Sequence, residues 1–315
     1  MELAHNCQIN YNALENEYID IVIFTPNESF DYQVKIKVNH QVKRGISLCK
    51  IPVVNSLIHR NDNEFENNDV ILIDEDYKDK ISTVLSNSLR AAEKTDINIL
   101  VDYTYMPSIW YSAIIGYFVE NDLDLYKVQL YFSYSRSNAI PQVKRSRKRM
   151  DASRLSPVVK DSRKRPTALV LGLGQEKFQK EDIDYEVEAD DTFAFFPDSS
   201  GDISYSNTLM RNNTRILKRI NTKKLFKYPV SNTEMTYSLL SSVCLDLRLD
   251  HKVVIAPMGP KPFSLNCHLL AAQYPDIQVL SDLNAENGRS DGLEFQGDCI
   301  INKVVFCNPD DWDKF

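Results

Sequence analysis

The chain has 315 residues, 43% hydrophobic and 26% charged, which excludes an intrinsically disordered protein and supplies apolar material for sizeable cores. Its length suits two domains at roughly 100–200 residues each. Net charge is −7, but residues 144–165 hold ten Lys/Arg against two Asp/Glu, or +8, leaving −15 on the rest. So acidic a body disfavours indiscriminate nucleic-acid binding.

Along the first half, Ile19–Phe24 reads as a strand. Val34, Ile36 and Val38 alternate with Lys35 and Lys37, as in a half-exposed strand of an antiparallel hairpin. Val70–Ile73 is a further strand and Lys78–Lys94 a helix. Ile97–Val101 is a buried strand, Pro107–Val119 a helix and Val128–Phe132 a strand. Residues 141–165 are basic, contain Ser and Pro, and lack a sustained apolar face, so they read as a linker.

The second half alternates strictly. Ala168–Leu173 is an unbroken apolar run, as in a central parallel strand. Thr192–Phe196 is a second strand. A helix over residues 205–220 offers Leu209, Ile216, Leu217 and Ile220 as its buried face. Leu225–Tyr228 is a strand. Thr233–Leu247 is a helix with Met235, Leu239, Leu240, Val243 and Leu247 at helical spacing. Lys252–Ala256, the helix Pro262–Tyr274 and the strand Ile277–Leu280 follow, and Lys303–Cys307 reads as a closing edge strand. Alternation of this kind implies right-handed crossovers and a parallel sheet covered on both faces. The expectation is an α/β protein of two Rossmann-like three-layer halves with mainly parallel sheets, the first decorated by an antiparallel hairpin. The domains would be 1–140 and 166–315, joined by the basic linker 141–165.

Two segments echo each other. Asn98–Pro107 and Val253–Pro262 each run from an apolar strand through a polar turn to a proline suited to a first helical position. Either the halves are diverged copies or any βα turn shares these traits. Ligands of open α/β sheets bind beyond the carboxyl ends of the strands, at the switch in strand order, and helix starts favour anions. Gly259 permits close backbone approach and Lys261 adds a charge. Gly172-Leu-Gly174-Gln175 supplies half of a dinucleotide fingerprint, with Lys177 and Phe178 where the third glycine belongs. Asp198 follows the second strand, where an acid often meets a ribose hydroxyl, although Ser199-Ser200-Gly201 fits an ordinary loop equally well.

The turn Met258-Gly259-Pro260-Lys261-Pro262-Phe263 resembles the Gly-x-Lys-Pro-hydrophobic part of a strand–turn–helix motif in CARF domains. Asp102-Tyr103-Thr104 resembles the Asp-x-Thr that opens the same motif. The two portions fall in different halves, some ten residues each. CARF domains are Rossmann-like sensors of cyclic oligonucleotides in prokaryotic antiviral systems, usually paired around their ligand. The resemblance therefore implies a sensor whose fused halves imitate such a pair.

Other chemistries find less support. The five histidines form no His-x-x-x-His, there is no Cys-x-x-Cys pair among the six cysteines, and neither a Walker A loop nor a Gly-x-Ser-x-Gly elbow occurs. No metal and no cofactor are expected, and the cysteines read as reduced thiols. His268 reads first as a packed or surface residue, Arg211 and Arg215 as a solvated face, and Trp110 as core, although Tyr103, Tyr105 and Trp110 have the chemistry to stack a base. The N-terminal residues lack a basic stretch followed by an apolar core, and the near-apolar run Trp110–Val119 is about half a membrane span. A cytoplasmic protein without membrane contact is expected.

The leading expectation is a nucleotide or phosphorylated-ligand binding and sensing protein, its ligand held by Gly172, Gly174, Gln175, Asp198, Gly259 and Lys261, with Asp102 and Thr104 from the first half. The alternatives are an interaction subunit of a larger assembly with a protein partner, and a nucleotide hydrolase using Asp102 or His268. Nucleic-acid binding through Lys144–Arg165 is a lesser option, since that stretch lacks interleaved aromatics.

Overall fold

Runs of branched and aromatic residues become strands, and the periodic stretches between them become helices that cover the strands. The computed structural model describes residues 1–15, 17–24, 49–55, 71–73, 77–104, 106–135, 150–151, 165–174, 187, 189–198, 203–282 and 299–309. These fall into two compact units: residues up to 135 with those from 299 onward, and residues 150–282. The expected hairpin at Val34–Val38, Tyr105, Gln175 and most of the linker 141–165 lie outside the described residues.

The first unit is built on β1 (Glu2–Ile9), β2 (Ile21–Phe24), β3 (Cys49–Asn55), β4 (Ile71–Ile73), β5 (Asp96–Asp102) and β6 (Lys127–Tyr134). A strand from the far end of the chain, Ile300–Cys307, completes its sheet. That last strand is labelled β14 below, by its place in the chain, and the order is β1-β14-β6-β5-β2-β3-β4. Strands β2 to β6 pair in parallel, whereas β14 runs antiparallel to both β6 and β1. Short α1 (Tyr11–Glu15) and the turn after it accompany one face. There Leu14, Ile19, Val22, Phe24, Leu100, Tyr131 and Ile301 form a core. Helices α2 (Tyr77–Ala92) and α3 (Ser108–Glu120) pack on each other. Residues Trp110 to Phe118 are all buried, as a helix apolar on every side requires.

The second unit holds β7 (Met150–Asp151), β8 (Thr167–Gly172), β9 (Asp191–Asp198), β10 (Leu225–Pro229), β11 (Lys252–Pro257), β12 (Gln278–Val279) and β13 (Ser281–Asp282). Its main sheet, β10-β9-β8-β11-β12, is entirely parallel. Strands β7 and β13 form a small antiparallel pair. The helices are α4 (Ile203–Leu217), α5 (Thr233–Asp250) and α6 (Lys261–Gln273).

Both units share one wiring. Numbered by appearance within each unit, the parallel strands stand in the order third, second, first, fourth, fifth, the doubly wound arrangement. The two-half Rossmann-like expectation holds. The segments that echo each other, β5–turn–α3 and β11–turn–α6, occupy the same place in the two units. Three details differ from expectation. The strand read at Lys303–Cys307 as an edge of the second half is an interior strand of the first sheet. Strand β1, which carries little apolar periodicity, exists because β14 offers it an edge. Met235, read as buried, is 57% exposed, because the stripe of α5 that faces the sheet runs through Thr236, Leu240, Cys244 and Leu247 instead.

Candidate functional site

In the second unit, β8 and β11 are neighbours, with Gly172 opposite Pro257. Leu169, Leu171 and Leu173 face the core that holds Ile216 and Leu217 of α4. Gly172 faces the other way, against the ring of Phe263 on α6. Helices α4 and α6, which follow β9 and β11, thus cover opposite faces of the sheet. This is the switch point of the sheet, the place at which open α/β sheets receive ligands.

The two turns at this point touch. A Cβ on Gly174 would come well under 3.0 Å from the carbonyl oxygen of Met258, and one on Gly172 would run into the Phe263 ring. A Cβ on Gly259 would stand 3.0 Å from the Tyr228 hydroxyl and 3.3 Å from the Leu173 carbonyl. The packing of the turns themselves therefore accounts for Gly172 and Gly174, which ligand approach had suggested from the sequence. Phe263 stacks on Tyr228 at 4.9 Å and lies 5.5 Å from Phe195, and all three rings are buried in the core.

Asn213 on α4 is a component the sequence reading passed over between Arg211 and Arg215. Its side chain is 1% exposed. Its Nδ2 donates to the carbonyl of Gly174 at 2.8 Å and to that of Leu209 at 2.9 Å. Two carbonyl acceptors fix the amide orientation, so Asn213 pins the glycine turn to α4. Its position on the Leu209–Ile216 stripe was the available signal. Arg211 and Arg215 are exposed, as a solvated face requires.

Lys261 is the first residue of α6, half-buried, after the N-cap Pro260. No side chain caps this helix, whose backbone N–H groups at Phe263 and Ser264 turn back to the Pro260 carbonyl at 2.9 and 3.2 Å. Asp198 ends β9, beside β8, and is exposed. Gly174, Gly259, Lys261 and Asp198 thus share the carboxyl edge of one sheet, with the glycine turns and Lys261 at the switch point itself. His268, about two turns beyond Lys261 on α6, is fully buried and is held neutral by that burial, its pKa lowered to about 3. Cys244 and Cys267 are buried too, and desolvation pushes the Cys244 thiol up to about 12.

The corresponding turn of the first unit is built differently. Pro107 and Pro260 are both N-caps with nearly equal backbone angles, φ −58° and ψ 148° against φ −53° and ψ 150°. The equivalent prolines are therefore 107 and 260, while Pro262 lies within the first turn of α6. Between β5 and Pro107 the chain has four residues, against two between β11 and Pro260. Asp102 and Thr104, each 3% exposed, are engaged within this longer turn. The Thr104 N–H donates to Asp102 Oδ1 at 3.0 Å, and the Ser135 N–H donates to Thr104 Oγ1 at 2.9 Å. Tyr103 is buried among the rings of Tyr111, Phe132 and Tyr134, and Trp110 is 1% exposed. Both are core. Asp102 and Thr104 belong to the first unit, and the remaining described candidates to the second.

Among the described residues, no group of three or more His, Cys, Asp or Glu is placed to hold a metal ion, and no helix is long and apolar enough to cross a membrane. No family model and no curated protein matches the sequence. Among solved structures, the chain is similar to a functionally unknown protein from Pseudomonas aeruginosa. Identity is 8%, over 85% of this chain and 93% of that one, with a TM-score of 0.23.

Proposed function

We propose that this protein is a binding module for a nucleotide or another phosphorylated small molecule, received at the carboxyl edge of the second unit's parallel sheet. One observation carries the reading. The Gly174 and Met258–Lys261 turns meet at the switch point beside the start of α6, which lacks a side-chain cap and brings Lys261 to its first position. The Lys261 ammonium and the positive end of the α6 dipole, with the Lys261 N–H between two prolines that have none, favour phosphate, and Asp198 at the next strand end is suited to a ribose hydroxyl. Asp102 and Thr104 are committed to their own turn, so the second unit carries the site and one ligand binds per chain. The CARF-like turn Gly259–Phe263 makes nucleotides, linear or cyclic, the favoured class, and a sensor in prokaryotic antiviral defence the favoured role. His268 is fully buried and neutral, away from water, which weighs against the hydrolase alternative.

Isothermal titration against mono-, di- and cyclic nucleotides tests the reading. Lys261→Ala should weaken the best binder about tenfold or more, corresponding to the ~1.5–3 kcal/mol typical of a charge-assisted hydrogen bond, while leaving the melting temperature within about 2 °C. Equal affinity of Lys261→Ala and wild type refutes the site. Absence of binding across the panel refutes the nucleotide class.

A further inference from the structure

A second group of reactive side chains lies in the first unit, on the face of the sheet beside α1. Cys7 on β1 is the direct cross-strand partner of Lys303 on β14, and Lys303 is in turn the partner of Tyr131 on β6. Direct partners project from the same face. Glu17, in the turn after α1, reaches the same spot, with its Oε1 3.5 Å from Lys303 Nζ. The Lys303 ammonium stands 5.5 Å from the centre of the Tyr131 ring. Tyr131 is fully buried, and its hydroxyl pKa is raised by burial and by the charges of Glu17 and Cys7. Four ionisable groups from four separate elements therefore converge. Cys7 is a thiol, half-buried, as is Lys303.

Cβ atoms of direct cross-strand partners lie about 4.5–5.5 Å apart, a span that the lysine stem covers by changing rotamer. A partly exposed cysteine beside a lysine is the setting in which thiol oxidation becomes site-selective. We propose that Cys7 and Lys303 form a redox modification site, in which oxidation of Cys7 by a peroxide leads to a covalent sulfur–nitrogen bridge to Lys303. In the first step the peroxide O–O bond breaks. One oxygen bonds to Cys7 Sγ, giving the sulfenic acid, and the other leaves as water with the thiol proton. Lys303 passes a proton to Glu17, and its neutral Nζ attacks Sγ. The N–S bond forms, the S–O bond breaks, and the hydroxyl leaves as water with an amine proton. Sulfur is oxidised by two electrons, the peroxide is reduced, and thiol, amine and peroxide become a sulfenamide and two waters. The bridge ties the outer strand β1 to β14, and a thiol reductant reverses it.

The test is hydrogen peroxide treatment of the full chain, followed by intact mass measurement and peptide mapping. The expected product is lighter by two hydrogens, with a cross-linked peptide pair joining Cys7 to Lys303 that dithiothreitol separates. Lys303→Arg keeps the positive charge and should stop at the Cys7 sulfenic acid, trapped by dimedone. Circular dichroism matching wild type certifies its fold. Three outcomes overturn the proposal: Cys7 carried to sulfinic or sulfonic acid with Lys303 unmodified, Cys7 joined to another lysine, or Cys7 inert to peroxide.

Discussion

Gly174→Ala puts the turn-on-turn contact to a direct test. The added methyl group would enter the space of the Met258 carbonyl, with the Met258 carbonyl carbon at 3.3 Å and Gly259 Cα at 3.5 Å. All three are backbone atoms, so no rotamer change relieves the clash and the turns must separate. Overpacking of this kind costs about 1–3 kcal/mol. Separation also disturbs the 2.8 Å bond from Asn213 to the Gly174 carbonyl, worth about 1 kcal/mol. The sum is about 3 kcal/mol, which for a unit of this size lowers its melting temperature by roughly 6–12 °C. Gly259→Ala meets a tyrosine hydroxyl at 3.0 Å and a carbonyl at 3.3 Å. These can give by tenths of an ångström, so its cost is about 1 kcal/mol, or roughly 2–4 °C. Thermal melts followed by far-UV circular dichroism rank the two. Wild-type melting for Gly174→Ala, or a larger loss for Gly259→Ala, would mean that the turns do not meet as described.

His268 gives a pH signature. Its folded pKa, lowered to about 3, lies below the unfolded value near 6.5, so its contribution is present above about pH 6.5 and is lost as pH falls toward 3. From pH 7 to pH 5 it should remove about 2 kcal/mol. Urea melts of wild type and His268→Gln should show that slope in the first protein only. Thr104→Val leaves the Ser135 N–H without the threonine oxygen and should destabilise the first unit by about 1–3 kcal/mol in denaturant melts. It should leave nucleotide affinity at the second unit unchanged, and a change in affinity would put Thr104 at the ligand. Arg248 grips Asp276 through Nε and an Nη at 2.9 and 2.7 Å and lies 4.5 Å from the centre of the Tyr274 ring. Arg248→Lys, which cannot reproduce the fork, should cost about 1 kcal/mol at these partly exposed groups, read as a shift in urea midpoint.

What could be read in the sequence was what local periodicity controls. Strands β8, β9 and β11 each contain a short apolar run, and α2, α4 and α5 carry regular stripes, so their places emerged within a few residues. What stayed hidden depends on partners distant in sequence. Strand β1 mixes Leu3, His5 and Gln8 without a clear face, because it is completed by β14, which lies almost three hundred residues away. Even a strand such as β14, plain in its own residues, does not say which sheet it joins. At the site, glycine and lysine in a βα turn announced the switch point. They did not tell a glycine needed by a ligand from one needed by Phe263 or Met258. Asp102 and Thr104 have the residue types of a binding motif, and only their hydrogen bonds identify them as the braces of a turn. Asn213 lies on the Leu209–Ile216 stripe, which signals burial, but its residue type shows nothing of the carbonyl it will meet.

The position of β14 has a consequence for how the molecule comes into being. Because this strand lies between β1 and β6, the first sheet stays split during synthesis until the ribosome has delivered residues beyond 300. The main sheet of the second unit, by contrast, has all its strands once residue 279 has emerged. The later-made unit is thus positioned to finish first, and the earlier one waits with the flanks of β1 and β6 unsatisfied. A chain stopped short of Ile300 would lose the integrity of its amino-terminal unit while its carboxyl-terminal sheet stood intact.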